Sequence, residues 1–275
     1  MHRQREPEIF RRHAAEGVLL LGGGAAILLQ LADPRVAAGV ARHSGFRDRP
    51  LDRLLGTLDY LTALAFGSEA DRRRLVRTVN AAHAPVRSRA DDGGGSSYSA
   101  FDADAQRWVA STLLAVALDL HERTWGPLDA DRADAIVRGY APLGARLQGG
   151  SAGWPQTRAE FDEWWAERMS RLAVGDDARF VAHGLLDGGA LPVPLRMPLP
   201  AVRLVTAALL PPAMREAYGF RWTPRAERVA SAWLGAITTI WPWLPAPLRH
   251  ATKRASLRRV QRATRYAGSD LRGRG

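Results

Sequence analysis

Apolar residues recur at helical spacing along almost the whole chain, and strand-like alternation is scarce. From Pro50 to Phe66, Leu51, Leu54, Leu55, Leu58, Leu61 and Leu64 fall three and four apart, and Gly67 follows as a C-terminal stop. Ser68 then precedes Glu69-Ala70-Asp71, an N-cap with acids in the first turn. It predicts a helix to about Ala82 that turns Leu75, Val76, Val79 and Ala82 inward. Pro85 ends that helix, and the DDGGGSS stretch at 91–97 reads as a flexible loop. The run from Asp104 to about Arg123 is apolar on nearly every side between Trp108 and Leu120, which marks a central buried helix. Asp102 reads as its N-cap. Further helices are expected at Asp129–Leu147, Thr157–Leu172, Ala201–Leu210 and Ala226–Ile240, with a basic helix from Arg249 onward. PVPLRMPLP at 192–200 reads as an extended connector. The apolar run Gly17–Ala32 reads as a buried helix or helix pair broken near Gly22-Gly23-Gly24, and is shorter than the ~20 residues that span a bilayer. No internal repeat interrupts the pattern. The expectation is an all-α protein: a lead-in at 1–16, one multi-helix domain at 17–248 around a buried central helix, and a basic C-terminal helix and tail at 249–275.

Composition narrows the chemistry. The chain has 275 residues, 46% of them hydrophobic, enough for a sizeable core. It has no cysteine, which excludes a disulfide framework, an iron–sulfur cluster, thiolate-ligated haem, a cysteine nucleophile and a zinc finger. The formal net charge is +11, nearly all from arginine, since Lys253 is the sole lysine. Residues 249–275 carry nine basic side chains against Asp270 alone, so the rest of the chain is close to balanced. With no nucleic-acid-binding motif present, that distribution argues against a nucleic-acid partner. Leu257, Val260 and Thr264 give the basic tail a narrow apolar stripe, with Trp233, Trp241 and Trp243 just upstream. The pairing suits an interfacial membrane contact or an acidic surface, and equally a solvated basic helix. Arg3, Arg5, Arg11 and Arg12 before an apolar run imitate a signal peptide, but no cleavage site follows. A cytoplasmic protein is expected, with peripheral membrane contact left open.

Candidate chemistry is sparse. No Walker loop, HExxH, GxSxG or repeated Glu-x-x-His occurs. What stands out is polar residues on apolar helix faces. His83 shares the face of Leu75, Val76 and Val79, where an imidazole needs a hydrogen-bond partner or a metal. A satisfied core histidine and a metal ligand both remain open. Arg53 and Thr57 lie one turn apart on a stripe that continues to Tyr60 and Leu64. Arg53 reads either as a site residue or as a snorkelling arginine in an ion-pair network with Asp52 and Asp59. His43 reads as a helix-end or loop residue, His121 as core or helix-end, and Trp164 and Trp165 as packing.

Taken in order, several fragments resemble the bacterial oxygenase MpaB-like family, relatives of the fungal ER-bound oxygenase MpaB and of latex-clearing protein, a rubber oxygenase. The carriers are LLLGGGAAILLQLADPRVAAGVARHSGF (19–46), DRPLDRLLGTLDYLTALAFG (48–67), VNAAHAPV (79–86), YSAFDADAQRWVASTL (98–113) and LLPPAMREAYGFRW (209–222). The resemblance implies an all-α pocket holding haem b, an oxidoreductase reaction with dioxygen, and a hydrophobic organic substrate. It implies that His83 is the iron ligand, that Arg53 and Thr57 face the haem or dioxygen side as catalytic residues, and that Arg87 sits near a haem propionate. Many members of that family have histidine where this chain has Asp33, Asn80 and Ala110. Those departures leave open an inactive relative that binds a lipid-like ligand or a membrane surface.

Overall fold

The computed structural model describes residues 2–43, 50–88, 98–144, 153–189 and 193–272, and these are almost wholly helical. Helix α1 (His2–Ala14) leads into a 3-10 turn (Gly17–Gly22) and α2 (Gly23–Leu31), followed by α3 (Pro34–His43), α4 (Pro50–Phe66) and α5 (Glu69–His83). Strands β1 (Arg87–Ser88) and β2 (Tyr98–Ser99) pair antiparallel, Arg87 opposite Ser99, and form the one small sheet among the described residues. Then come α6 (Ala103–Trp125), α7 (Ala130–Gly144), α8 (Arg158–Ser170) and α9 (Asp176–Asp187). The last third holds α10 (Val193–Arg196), α11 (Leu199–Leu209), α12 (Pro212–Ala217), α13 (Pro224–Ile240), α14 (Ala246–Arg249) and α15 (Ala251–Arg272). The all-α expectation is met. The glycine stretch at 91–97 and the expected end of α7 at Leu147 lie outside the described residues.

Local chemistry explains the boundaries. The Ser68 hydroxyl accepts from the Asp71 backbone N–H while the Asp71 carboxylate accepts from that of Ser68, a closed capping box. Asp102, Thr157 and Thr223 cap α6, α8 and α13 in the same sense. The connector expected at 192–200 is instead α10 and the start of α11. Pro200 occupies the first turn of α11, where the missing N–H has no helical partner to lose.

The core is organised around α6. Trp108, Leu114 and Leu120 are fully enclosed, and Trp108 stacks on Trp165 at 5.1 Å, so Trp165 does pack as expected. Helix α2 is buried on this core, and burial leaves its last carbonyls without water. Trp108 Nε1 donates to the carbonyls of Leu29 (3.1 Å) and Gln30 (3.3 Å), and Tyr218 Oη to that of Leu28 (2.6 Å). The glycine triplet serves this packing: a Cβ at Gly22 would run into Val116, and one at Gly24 into Thr206.

Asp33, directly after α2, is 2% exposed yet ionic. Arg35 and Arg168 both reach its Oδ2 at 2.7 Å, and Asp104 accepts from Arg35 at 2.7 Å and pairs with Arg168 at 3.0 Å. Burial pushes the Asp33 carboxyl up, but the hydrogen bonds and charge of the two arginines outweigh it and hold it below the usual carboxylate value. Asp33 is thus the hub of an ion-paired network joining α3, α6 and α8, in which the Nε of Arg168 is the one buried atom without a partner among the described residues.

Candidate active site

An apolar cavity of about 300 Å³ opens between the 3-10 turn, α2, α4, α6 and α7. Leu19, Ile27, Leu58, Leu61, Val116 and Tyr140 are among its walls, and Arg53, Leu54 and Thr57 line it from the first turns of α4. The leucine periodicity of α4 accounts for this. Its second half is buried at Thr62, Ala63 and Ala65, whereas its first half, Leu51 to Thr57, is open, and Arg53, Leu54 and Thr57 of that stretch face the cavity.

Arg53 is exposed as a residue, yet desolvation pulls its pKa down. The two observations agree if the stem is open and the charged end is enclosed; the group remains cationic at neutral pH in either case. The Thr57 hydroxyl donates to the Arg53 carbonyl at 2.9 Å, the back-bonding a helical threonine makes one turn on. The ion-pair network with Asp59 takes a different partner: Asp59 accepts from Arg259 at 2.7 Å and from the Ser256 hydroxyl at 2.6 Å.

His83 is the last residue of α5, half-buried, with Phe101 edge-on at 6.4 Å between ring centroids. Desolvation, and after it the positive charge of Arg53, lowers its pKa from the ordinary 6.5, so the imidazole is neutral at pH 7. His83 and Arg53 are thus electrostatic neighbours across two helices. The Nδ1 of His83 and the Oδ1 of Asn80, one turn earlier, are both buried without a hydrogen-bond partner among the described residues. Leu75 on the same face is buried and Val76 and Val79 half-buried, as the periodicity requires, but Ala82 is exposed. The α5 face twists away from the core in its last turn, which leaves His83 at the margin rather than in the centre.

Arg87 follows on β1 and is exposed, its backbone fixed by the pairing with Ser99. His83 and Arg87 are outside the described lining of the cavity, while Arg53 and Thr57 are part of it. His43 ends α3 and is hydrogen-bonded through Nε2 to Tyr98 Oη at 2.7 Å, a structural contact that ties β2 to α3. Among the described residues, no three His, Asp or Glu side chains converge to hold a bare metal ion.

Sequence reasoning passed over a second histidine site. His13, in the segment read as a lead-in, is buried on α1 with its Nδ1 3.1 Å from that of His121, and its Nε2 has no partner. Burial, then the charge on His121, lowers the His13 pKa to about 3. Only the helical phase of His13 relative to Phe10 could have found it, and a thirteen-residue amphipathic pattern rich in arginine obscures that phase.

Fold and site together define an all-helical protein with an apolar cavity lined by a desolvated arginine, and with a neutral histidine outside that lining whose Nδ1 is buried without a partner. Residues 10–240 match the family described as ER-bound oxygenase mpaB/B'/rubber oxygenase, catalytic domain, and the chain belongs to that family. It is similar to the uncharacterized proteins Rv2237 of Mycobacterium tuberculosis and Mb2261 of Mycobacterium bovis. Each is 33% identical over 207 residues, 74% of this chain and 80% of the relative. No solved structure matches. The family makes this an oxygenase-type domain.

Proposed function

We propose that the chain is a haem b-dependent oxygenase acting on a hydrophobic organic substrate. The observation that carries this reading is His83: a neutral imidazole with a buried, partnerless ring nitrogen, within electrostatic reach of Arg53, which lines the apolar cavity. One histidine supplies one ligand, whereas a porphyrin brings four nitrogens of its own. A lone imidazole therefore fits haem, and a bare metal ion would need a cluster. In this reading His83 holds the iron, and bound haem supplies the one-electron and dioxygen chemistry.

The remaining work falls to the chain itself. Desolvation and Arg53 keep His83 unprotonated, the form that can ligate. Arg53 places a fixed positive charge at the cavity edge, where a low dielectric strengthens its pull on a reduced-oxygen anion or a propionate. Thr57 holds its hydroxyl proton on the Arg53 carbonyl, which leaves the oxygen as an acceptor toward the cavity. The leucine walls exclude water and admit an apolar substrate. Arg87, exposed four residues past His83, would be the cation available to a propionate there.

Purified protein given haem is expected to show a Soret band that shifts or disappears in His83→Ala. A folded wild type without a Soret band overturns the proposal. The absence of His83 from the described cavity lining favours a second reading, an inactive relative that binds a lipid-like ligand in the cavity alone. That reading expects a fluorescent fatty-acid analogue to bind equally well to wild type and His83→Ala, and less well to a cavity-filling Ala117→Phe variant.

A further inference from the structure

The basic helix α15 does not use its apolar stripe for a partner outside the molecule. Val260 is 1% exposed, Leu257 and Thr264 are half-buried, and the stripe packs on α4 and α5 with Ser256 and Arg259 tied to Asp59. What this leaves outward is a row of arginines: Arg254, Arg258, Arg262 and Arg265 are exposed at spacings of four, four and three. No acidic residue occurs from 249 to 266.

Upstream, the chain runs from Val229 to Leu248 without a single charge. Part of this segment is anchored inward: Leu234 and Thr238 are buried, and Trp241 Nε1 donates to Glu16 at 3.0 Å. The opposite side is bare. Trp233 is 53% exposed, Ile240 57%, Leu248 59% and Trp243 86%, and Val229, Trp233, Ala236 and Ile240 follow one helical face of α13. The apolar ridge and the arginine row meet at α14, where Arg254 donates to the Pro247 carbonyl beside Leu248.

We infer that this junction is a docking surface for an anionic lipid bilayer. Trp243, Ile240 and Leu248 enter the interface, and Arg254 and Arg258 sit at the phosphate level. Exposed tryptophans flanked by arginine are the composition of an interfacial anchor. A second copy of the chain fits the surface less well. Closing two ridges on each other brings two arginine rows together, and like charges oppose it. The inference stands independently of the haem reading, since neither α13 nor the arginine row takes part in that site.

The test is co-sedimentation of the full chain with phosphatidylcholine vesicles, with and without phosphatidylserine, at low and high salt. Binding is expected only with phosphatidylserine, with a blue shift of tryptophan emission and release by salt. The double variant Trp243→Ser/Ile240→Ser should lower partitioning at least tenfold. Arg254→Gln and Arg258→Gln should each lower it about fivefold and flatten the salt dependence. All four positions are exposed, so unchanged melting curves verify that the variants fold. Three results would each overturn the inference: no binding to phosphatidylserine vesicles, binding that survives both pairs of substitutions, or lipid-free self-association that Trp243→Ser/Ile240→Ser abolishes.

Discussion

Two buried polar clusters flank the core, and they differ in how completely they are satisfied. Around Asp33, every charge meets another: two arginines and three carboxylates pair at 2.7–3.3 Å, and the one atom left over is the Nε of Arg168, whose Nη2 is already paired. Around His83, two buried polar atoms are left over, and the neighbouring charge repels a proton instead of sharing one. A cluster whose charges are paired holds helices together. A cluster with two orphaned atoms costs stability, by roughly 1–3 kcal/mol per atom, and is the place to expect a ligand. The contrast gives Asp33 a structural role, and leaves His83 and Arg53 as the residues on which the proposed function rests.

The largest effect is expected from removing the hub of the ion-paired cluster. Asp33→Ala leaves Arg35 and Arg168 facing a buried void, and should destabilise by about 3–5 kcal/mol. Thermal melting should fall by on the order of 10 °C, and a melting point within 2–3 °C of wild type would mean that the network is dispensable.

Acid separates the two kinds of cluster. His13 has its folded pKa lowered to about 3 from 6.5, so the unfolded chain binds the proton first as pH falls. Its contribution to stability is complete above pH 6.5 and is lost progressively below it, at about 1.4 kcal/mol per pH unit. The Asp33 carboxyl is also lowered, from 3.8, so its contribution persists through this window and is lost only in stronger acid. Denaturant midpoints between pH 7 and 5 should therefore decline in wild type and decline less steeply in His13→Phe, where the lowered His83 and His121 still act in the same direction. Parallel slopes for the two proteins would remove His13 from the account.

His83→Ala probes the unsatisfied side. Deleting an imidazole with an orphaned nitrogen should change stability by less than about 1 kcal/mol, in contrast with Asp33→Ala, while abolishing the haem Soret band. A loss comparable to that of Asp33→Ala would make His83 a structural residue. The smallest effect is expected from Arg53→Met. Removing the cation relieves part of the depression of the His83 pKa, so its titration by NMR should move up but remain below 6.5, because desolvation is the larger cause. An unchanged titration would place Arg53 too far away to act on His83.

Much of this was legible in the sequence, for reasons that are local. Helix α4 runs from Pro50 to Phe66 as its leucines and Gly67 dictate, and the Ser68 capping box opens α5. Asp102, Thr157 and Thr223 act as caps because their oxygens reach N–H groups two or three residues on. Helix α9 carries no such signal, because its N-cap is Gly175, which has no side chain to cap with. The short α3 and α12 begin at Pro34 and Pro212, where a first-turn proline loses no hydrogen bond. The apolar stripe of α15 was read correctly as a stripe, and its destination could not be: whether Val260 meets lipid or α4 depends on where a helix two hundred residues earlier lies.

By itself, the sequence determined the helices, the family, and the identities of Arg53, Thr57 and His83 as residues to follow. Each of these depends on spacing within a few turns or on the order of fragments. Only the tertiary structure decided that Asp33 is neutralised by Arg168 across 135 positions, that Arg53 lies close enough to His83 to depress its pKa, and that Trp243 faces outward while Trp241 is bound to Glu16. Burial and charge proximity are properties of elements brought together from distant parts of the chain, and no local pattern encodes them.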